Sequence, residues 1–226
     1  AEQASVRSDT LANGATSSGT LTVTDNLGAS LSINVEKGDT ATDIANRLNA
    51  EAATTKEEIL LSSVALTSKN GAAVANTTAI ADIAGVTIAD GDTITITGTN
   101  HSGKSYQRRI TLTGTDGATI QDVLSAIESM NDRNASASID ADGSIRVQDK
   151  ETGSSKLAVS ISTTVKGLDF GSFSSIQKGR NTVSVEASAS GNVLTLNHTG
   201  YGTANTFTVS GGSAAGIADG TYKGVD

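Results

Sequence analysis

The chain has 226 residues, of which 36% are hydrophobic, 3% aromatic and 18% charged, with a net charge of −8 and no cysteine. So acidic and aromatic-poor a sequence excludes the cationic, stacking surface of a nucleic-acid binder. The lack of cysteine excludes disulfides, thiol catalysis and thiolate metal sites, and no apolar run approaches the roughly 18 residues a membrane span needs.

Taken in order, residues 1–17 are rich in Ser, Thr, Ala and Gly without a period and predict an extended lead-in. The start lacks an initiator Met and any signal-peptide shape, which predicts an excised or processed chain. Leu21 and Val23, then Leu31 and Ile33, alternate with polar residues on either side of Asp25–Ala29, the pattern of a hairpin with one buried face. Ile44, Ala45 and Leu48 mark one side of a helix, with Asp39 or Thr40 as its N-cap. Ile59 to Leu66 reads as strand ending at the turn pair Asn70-Gly71, and Ile80 to Ala84 as a helical turn before Gly85.

From Asp92 the pattern starts again. Thr93 to Thr97 and Arg109 to Thr113 alternate as strands, and Ile120, Val123, Leu124 and Ile127 line one helix face. Gly38, Thr40, Asp43, Ile44 and Leu48 recur as Gly117, Thr119, Asp122, Val123 and Ile127 at an offset of 79, which also places Leu31 and Ile33 on Ile110 and Leu112. Leu21 and Val23 recur as Ile94 and Ile96 at an offset of 73, so the intervening loop should be six residues longer in the second copy. An unbroken register over two elements indicates an internal repeat. The strands around Asp140–Gly143 and at Leu157–Ile161 are echoed near the C-terminus: Ile145, Val147, Gly153, Leu157 and Val159 by Leu194, Leu196, Gly200, Phe207 and Val209. Between them, residues 166–179 hold two of the three Phe and are expected to pack. The unit is hairpin, helix, strand pair. It predicts an α+β fold, predominantly antiparallel β, in two small sheet-rich domains each with a packed helix.

Three patterns bear on chemistry. Gly98 to Ser105 spells G-x-x-x-x-G-K-S, the phosphate-binding loop of nucleotide-binding proteins. That loop needs a helix opening at its Lys-Ser, because the helix N-terminus helps cradle the phosphates. Here Tyr106 to Leu112 follows as strand, and the repeat makes the segment a hairpin loop. Asp140-Ala141-Asp142-Gly143 opens like a calcium loop but lacks its third acidic position, so a Gly-containing turn is expected. His101 and His198 lie in polar, turn-prone sequence and are expected at the surface, with no zinc ligands clustering around either. No catalytic, metal or cofactor-binding residue is expected. The feature singled out for contact with another protein is the protruding tip His101, Ser102, Gly103 and Lys104.

The repeated unit resembles the flagellin/hook "IN" motif of bacterial flagellar proteins. The pieces that carry the likeness are Gly19-Thr20-Leu21-Thr22-Val23, Gly38-Asp39-Thr40, Ile44 to Leu48-Asn49, Leu66-Thr67-Ser68-Lys69 and Gly202 to Val209. Their order is similar to that of flagellar filament-cap proteins, whose outer domains are nested one in the other. The resemblance implies a D2-like domain made of 1–86 and 166–226, with a D3-like domain, 87–165, inserted in it. It further implies a non-enzymatic, extracellular role at the tip of the flagellar filament. There a ring-shaped homo-oligomer promotes flagellin assembly, touching flagellin, hook-associated proteins and host surfaces, with no cofactor, nucleic acid or membrane partner. Two alternatives stay open: an outer domain of flagellin or another hook-associated protein, and a calcium- or glycan-binding adhesin module suggested by the acidic balance and the Asp-rich turns.

Overall fold

A computed structural model describes residues 1–114 and 117–226. Chain order is β1 (Gln3–Arg7), β2 (Gly19–Asp25), β3 (Ser30–Val35), α1 (Ala41–Ala52), β4 (Glu57–Ser62), β5 (Thr93–Thr99), β6 (Ser105–Thr111), α2 (Ile120–Met130), β7 (Ala135–Ile139), β8 (Ile145–Thr152), β9 (Ala158–Thr163), β10 (Phe173–Gln177), β11 (Val185–Ser190), β12 (Val193–Tyr201), β13 (Thr206–Ser210) and β14 (Gly220–Lys223). Every ladder between these strands is antiparallel, so the fold is α+β with mainly antiparallel sheet.

The chain forms two compact units. Unit 1 comprises Ala1–Thr55 and Asn181–Asp226, and unit 2 comprises Lys56–Arg180. Each has its own apolar core. The boundaries therefore fall at 55/56 and 180/181, where the sequence reading placed them at 86/87 and 165/166. The reason is β4 and β10, which lie within the segments 1–86 and 166–226 that the resemblance gives to the outer domain. β4 pairs with β8 on one side and β10 on the other, and both complete the second unit's sheet.

Unit 1 contains sheets β14-β13-β2-β3 and β1-β12-β11, and unit 2 contains β6-β5-β9 and β10-β4-β8-β7. The correspondence is element by element. β2, β3, α1, β11, β12 and β13 match β5, β6, α2, β7, β8 and β9, and β1 matches β4, since each lies antiparallel on the outer side of β12 or β8. In unit 2 only residues 131–134 join α2 to β7; in unit 1 the same junction, α1 to β11, holds the whole of unit 2. The lead-in is thus not free chain: β1 is a sheet strand with Ala4 fully buried.

Why these residues make these elements is plain in the burial pattern. Leu21, Val23, Ile94 and Ile96 are completely buried, as alternation requires. The helices bury Ala41, Ile44, Ala45 and Leu48 in α1 and Ile120, Val123, Leu124 and Ile127 in α2, each pair 79 apart. α1 opens with a reciprocal cap: the Asp43 amide donates to Thr40 Oγ1 (3.1 Å), and the Thr40 amide to Asp43 Oδ2 (3.0 Å). In α2 the Thr119 amide donates to Asp122 Oδ2 (2.7 Å).

Strand pairing corrects the repeat's register. Ile33 pairs with Leu21 and Ile110 with Ile94, so Ile33 corresponds to Ile110, an offset of 77 where the sequence alignment used 79. Likewise Val209 opposite Val23 corresponds to Ile161 opposite Ile96, two residues from the match read in sequence. Shifts of two leave every side chain on its original face, which is why the apolar pattern alone could not detect them. The six extra residues are accordingly not in the loop. Two lengthen each arm of the hairpin and two lie between β6 and α2. Strand β4 also stops earlier than expected, at Ser62. There the Ser62 hydroxyl takes over, accepting from the Ile145 amide at 2.8 Å and donating to the Val64 carbonyl at 3.0 Å.

Candidate functional site

The tip of the β5–β6 hairpin is built by Asn100. Its amide donates to the Lys104 carbonyl (3.0 Å), and its own carbonyl accepts from the Gly103 amide (2.9 Å). Its Oδ1 accepts from the Lys104 amide and the Ser102 hydroxyl, both at 2.9 Å. Gly103 has φ +90°, and a Cβ there would come within 2.7 Å of Lys156 Cδ. This is a three-residue hairpin loop closed by a left-handed residue. The same main-chain pair of bonds closes the loops starting at Asp25 and Asp140, with Gly28 and Gly143 in the left-handed position.

That geometry disposes of the phosphate-loop reading. The second glycine of the motif is the left-handed glycine of a hairpin. The amides of Gly103 and Lys104 point into the turn, and the Lys104 amine lies 5.0 Å from the centre of the Tyr106 ring. No helix opens here; β6 begins at Ser105. The calcium-like loop is equally committed. Arg146 holds Asp140 through Nε to Oδ1 (2.9 Å) and Nη2 to Oδ2 (2.8 Å), and Asp142 Oδ1 accepts from the Ser144 amide (2.9 Å). The Arg146 guanidinium keeps the Asp140 carboxyl below its ordinary pKa. In unit 1, Arg47 does the same for Asp39 at 2.8 Å.

Of the four tip residues, Ser102 and Lys104 are exposed, whereas His101 and Gly103 are half-buried. His101 folds back: its Nδ1–H donates to Asp149 Oδ2 at 2.7 Å, and its carbonyl accepts from the Lys156 amide at 2.9 Å. Asp149 is 1% exposed and also accepts from the Ser155 hydroxyl (2.7 Å) and the Glu151 amide (3.1 Å). The tip is therefore fastened to the β8–β9 connection rather than projecting freely through its whole length. Asp149 and Ser155 were not singled out in the sequence. A signal existed, because Asp149 follows Ile145 and Val147 at the inward-facing positions of β8, and an acid there needs a buried partner. His198 departs further from expectation. It is 3% exposed, and its Nδ1 accepts from the Gly200 amide at 2.9 Å, which puts the proton on Nε2, 2.9 Å from Asn26 Oδ1. Its place in the alternation of β12, in step with Leu194 and Leu196, dictates that burial.

A second polar feature is shared by both units. On α1 the residue after Leu48 is Asn49, whose Nδ2 donates to the Ala187 carbonyl (2.8 Å) and whose Oδ1 accepts from the Ala187 amide (2.7 Å). On α2 the counterpart is Glu128, whose Oε1 accepts from the Ala137 amide (3.0 Å). Ala187 and Ala137 hold matching positions on the edge strands β11 and β7, opposite Leu196 and Val147. The helix thus occupies hydrogen-bonding groups that an edge strand would otherwise offer to another chain.

Among the described residues no three His, Asp or Glu side chains converge as metal ligands, and no helix is long and apolar enough to cross a membrane. No family model matches the chain, and no curated protein does. Solved structures to which it is similar include the D1-D2-D3 domains of the flagellar cap protein FliD from Escherichia coli, at 15% identity and a TM-score of 0.35 over 93% of this chain and 55% of that one. The D2-D3 domains of FliD from the same organism give 16% identity and a TM-score of 0.35 over 92% and 94%. FliD from Helicobacter pylori gives 11% and 0.28 over 99% and 81%. The chain spans about half the length of the first of these, 55%.

Proposed function

We propose that this chain forms the two outer domains of a bacterial flagellar filament cap, unit 1 as the D2-like and unit 2 as the D3-like domain. The observation that carries the reading is the nesting of one module inside a second copy of itself. Both copies are centred on a helix with a Thr-x-x-Asp cap and, directly after the core residue Leu48 or Ile127, a polar residue that pins an edge strand. The Gly-Asp-Thr and Leu-Asn pieces that gave the sequence resemblance are that cap and that pin, so the motif has a structural job. In this reading the protein is extracellular and non-enzymatic. It works as a ring-shaped homo-oligomer touching flagellin and hook-associated proteins at the filament tip, with Ser102 and Lys104 available for contact. The test is complementation: the full-length parent chain is expected to restore filament growth to a capless strain and to show rings by electron microscopy. A strictly monomeric protein that leaves the strain without filaments would sink the proposal.

A further inference from the structure

We propose that the free edge of β6 is a docking strand for an extended acidic segment of a partner protein. Four observations point there, none of which uses the flagellar reading. First, the ladder fixes which main-chain groups are free. Leu112 donates to Asp92 and accepts from Gly91. By the alternation of antiparallel bonding, residues 110 and 108 also bond to β5, while Gln107, Arg109 and Thr111 aim their N–H and C=O groups outward. Second, the counterpart edge in unit 1 is closed. The Arg47 guanidinium of α1 bonds the outward carbonyl of Asn34 on β3. Asn34 corresponds to Thr111 by register, and Arg47 to Ala126 by helix offset, so unit 2 has a methyl group where unit 1 has the clamp. Among the described residues no side chain takes its place on β6. Third, β6 is seven residues long, and its Ser105, Gln107, Arg108, Arg109 and Thr111 are exposed.

The fourth observation selects the partner. Arg108 and Arg109 are consecutive, so one guanidinium lies on each face of the sheet. Arg108 is held over α2 with Nε 3.5 Å from Ser129 Oγ, and Arg109 stands on the outer face beside Thr95. Neither has an ion-pair partner among the described residues. Charged edge residues repel a strand of like charge. Here they admit an acidic strand, whose consecutive carboxylates would meet one guanidinium on each face while its main chain pairs with Gln107, Arg109 and Thr111.

The experiment titrates the full chain with a capped, threonine-rich heptapeptide carrying a central Glu-Glu pair, following backbone amide signals by NMR. Shifts are expected at Gln107, Arg109 and Thr111, with affinity falling as salt rises. The same peptide with a central Lys-Lys pair is expected to bind at least about tenfold more weakly. The pair Ala118→Asp and Ala126→Arg, which rebuilds the Asp39–Arg47 clamp of unit 1 at the matching positions, is expected to abolish the shifts in a protein whose thermal melt shows unit 2 still folded. N-methylation of alternate peptide residues should abolish them too, since the contact is made through main chain. Absence of shifts with several millimolar peptide, shifts mapping elsewhere, or equal binding of the Lys-Lys peptide each overturns the proposal.

Discussion

The two units share a topology, yet they fill the same packing positions with side chains of different size. Where α1 buries Ala41 and Ala45, α2 buries Ile120 and Leu124 at the matching positions. The pinning residue differs too. Asn49, with an amide donor and an acceptor, engages both the amide and the carbonyl of Ala187, whereas Glu128, whose carboxylate can only accept, engages the amide of Ala137 alone. Charge divides the units too: unit 1 has 4 Lys/Arg against 10 Asp/Glu, and unit 2 has 12 against 14. The repeat thus keeps its connections and its helix-to-edge-strand contact while the side chains that fill the core and make that contact change.

The largest effects are expected at the core positions where the two helices differ in size. Leu124→Ala, in a completely buried position, is expected to cost unit 2 about 3 kcal/mol. Ala45→Leu should cost unit 1 about 2 kcal/mol by overpacking. Denaturant unfolding should then show two transitions, each variant moving one; if both move together, the cores are not independent. Next come the pins. Asn49→Ala leaves both polar groups of Ala187 without their partner, for about 2 kcal/mol, and hydrogen exchange at the Ala187 amide should speed up. Glu128→Ala leaves the Ala137 amide without its acceptor, for about 1 kcal/mol; unchanged exchange at Ala137 would contradict the pinning role of Glu128. Thr40→Ala removes the cap of α1 for about 1 kcal/mol, visible as a lower midpoint of the unit 1 transition alone. The smallest effect belongs to Asp140. Its carboxyl is held low by Arg146. Its contribution is therefore present above the ordinary Asp pKa of about 3.9 and fades as pH falls through the lowered folded value. Asp140→Asn should remove about 0.5 kcal/mol from unit 2 at neutral pH and nothing once the wild-type carboxyl is protonated. An equal loss at both extremes would assign the effect to shape rather than charge.

Much of this was legible in the sequence. Leu21, Val23, Ile94 and Ile96 announce their strands, and Thr40-Asp43 and Thr119-Asp122 announce their helices, because periodicity and caps are local. What was missed is non-local. β4 and β10 belong to unit 2 through pairing that no local pattern encodes, and two-residue register shifts leave the alternation intact. At the tip, Asn100 and Gly103 could be read as a turn. The fastening of His101 to Asp149 could not be, since it joins residues 48 apart in sequence.

The nesting of unit 2 has a kinetic consequence. α1 and β11 are separated by more than 130 residues of chain, and closing a loop of about that length costs several kcal/mol, growing as roughly 1.5 RT ln n. Unit 2 removes most of that span on folding, because its ends are clasped by a reciprocal pair of main-chain bonds between Lys56 and Arg180, each 3.0 Å. Once clasped, residues 55 and 181 are neighbours, and Asn49 has only a short search for Ala187. We therefore expect the inner module to fold first and to act as an intramolecular splint for the outer one. Pulse-labelled hydrogen exchange would report this as protection at Ala137 before Ala187, and the reverse order would refute it.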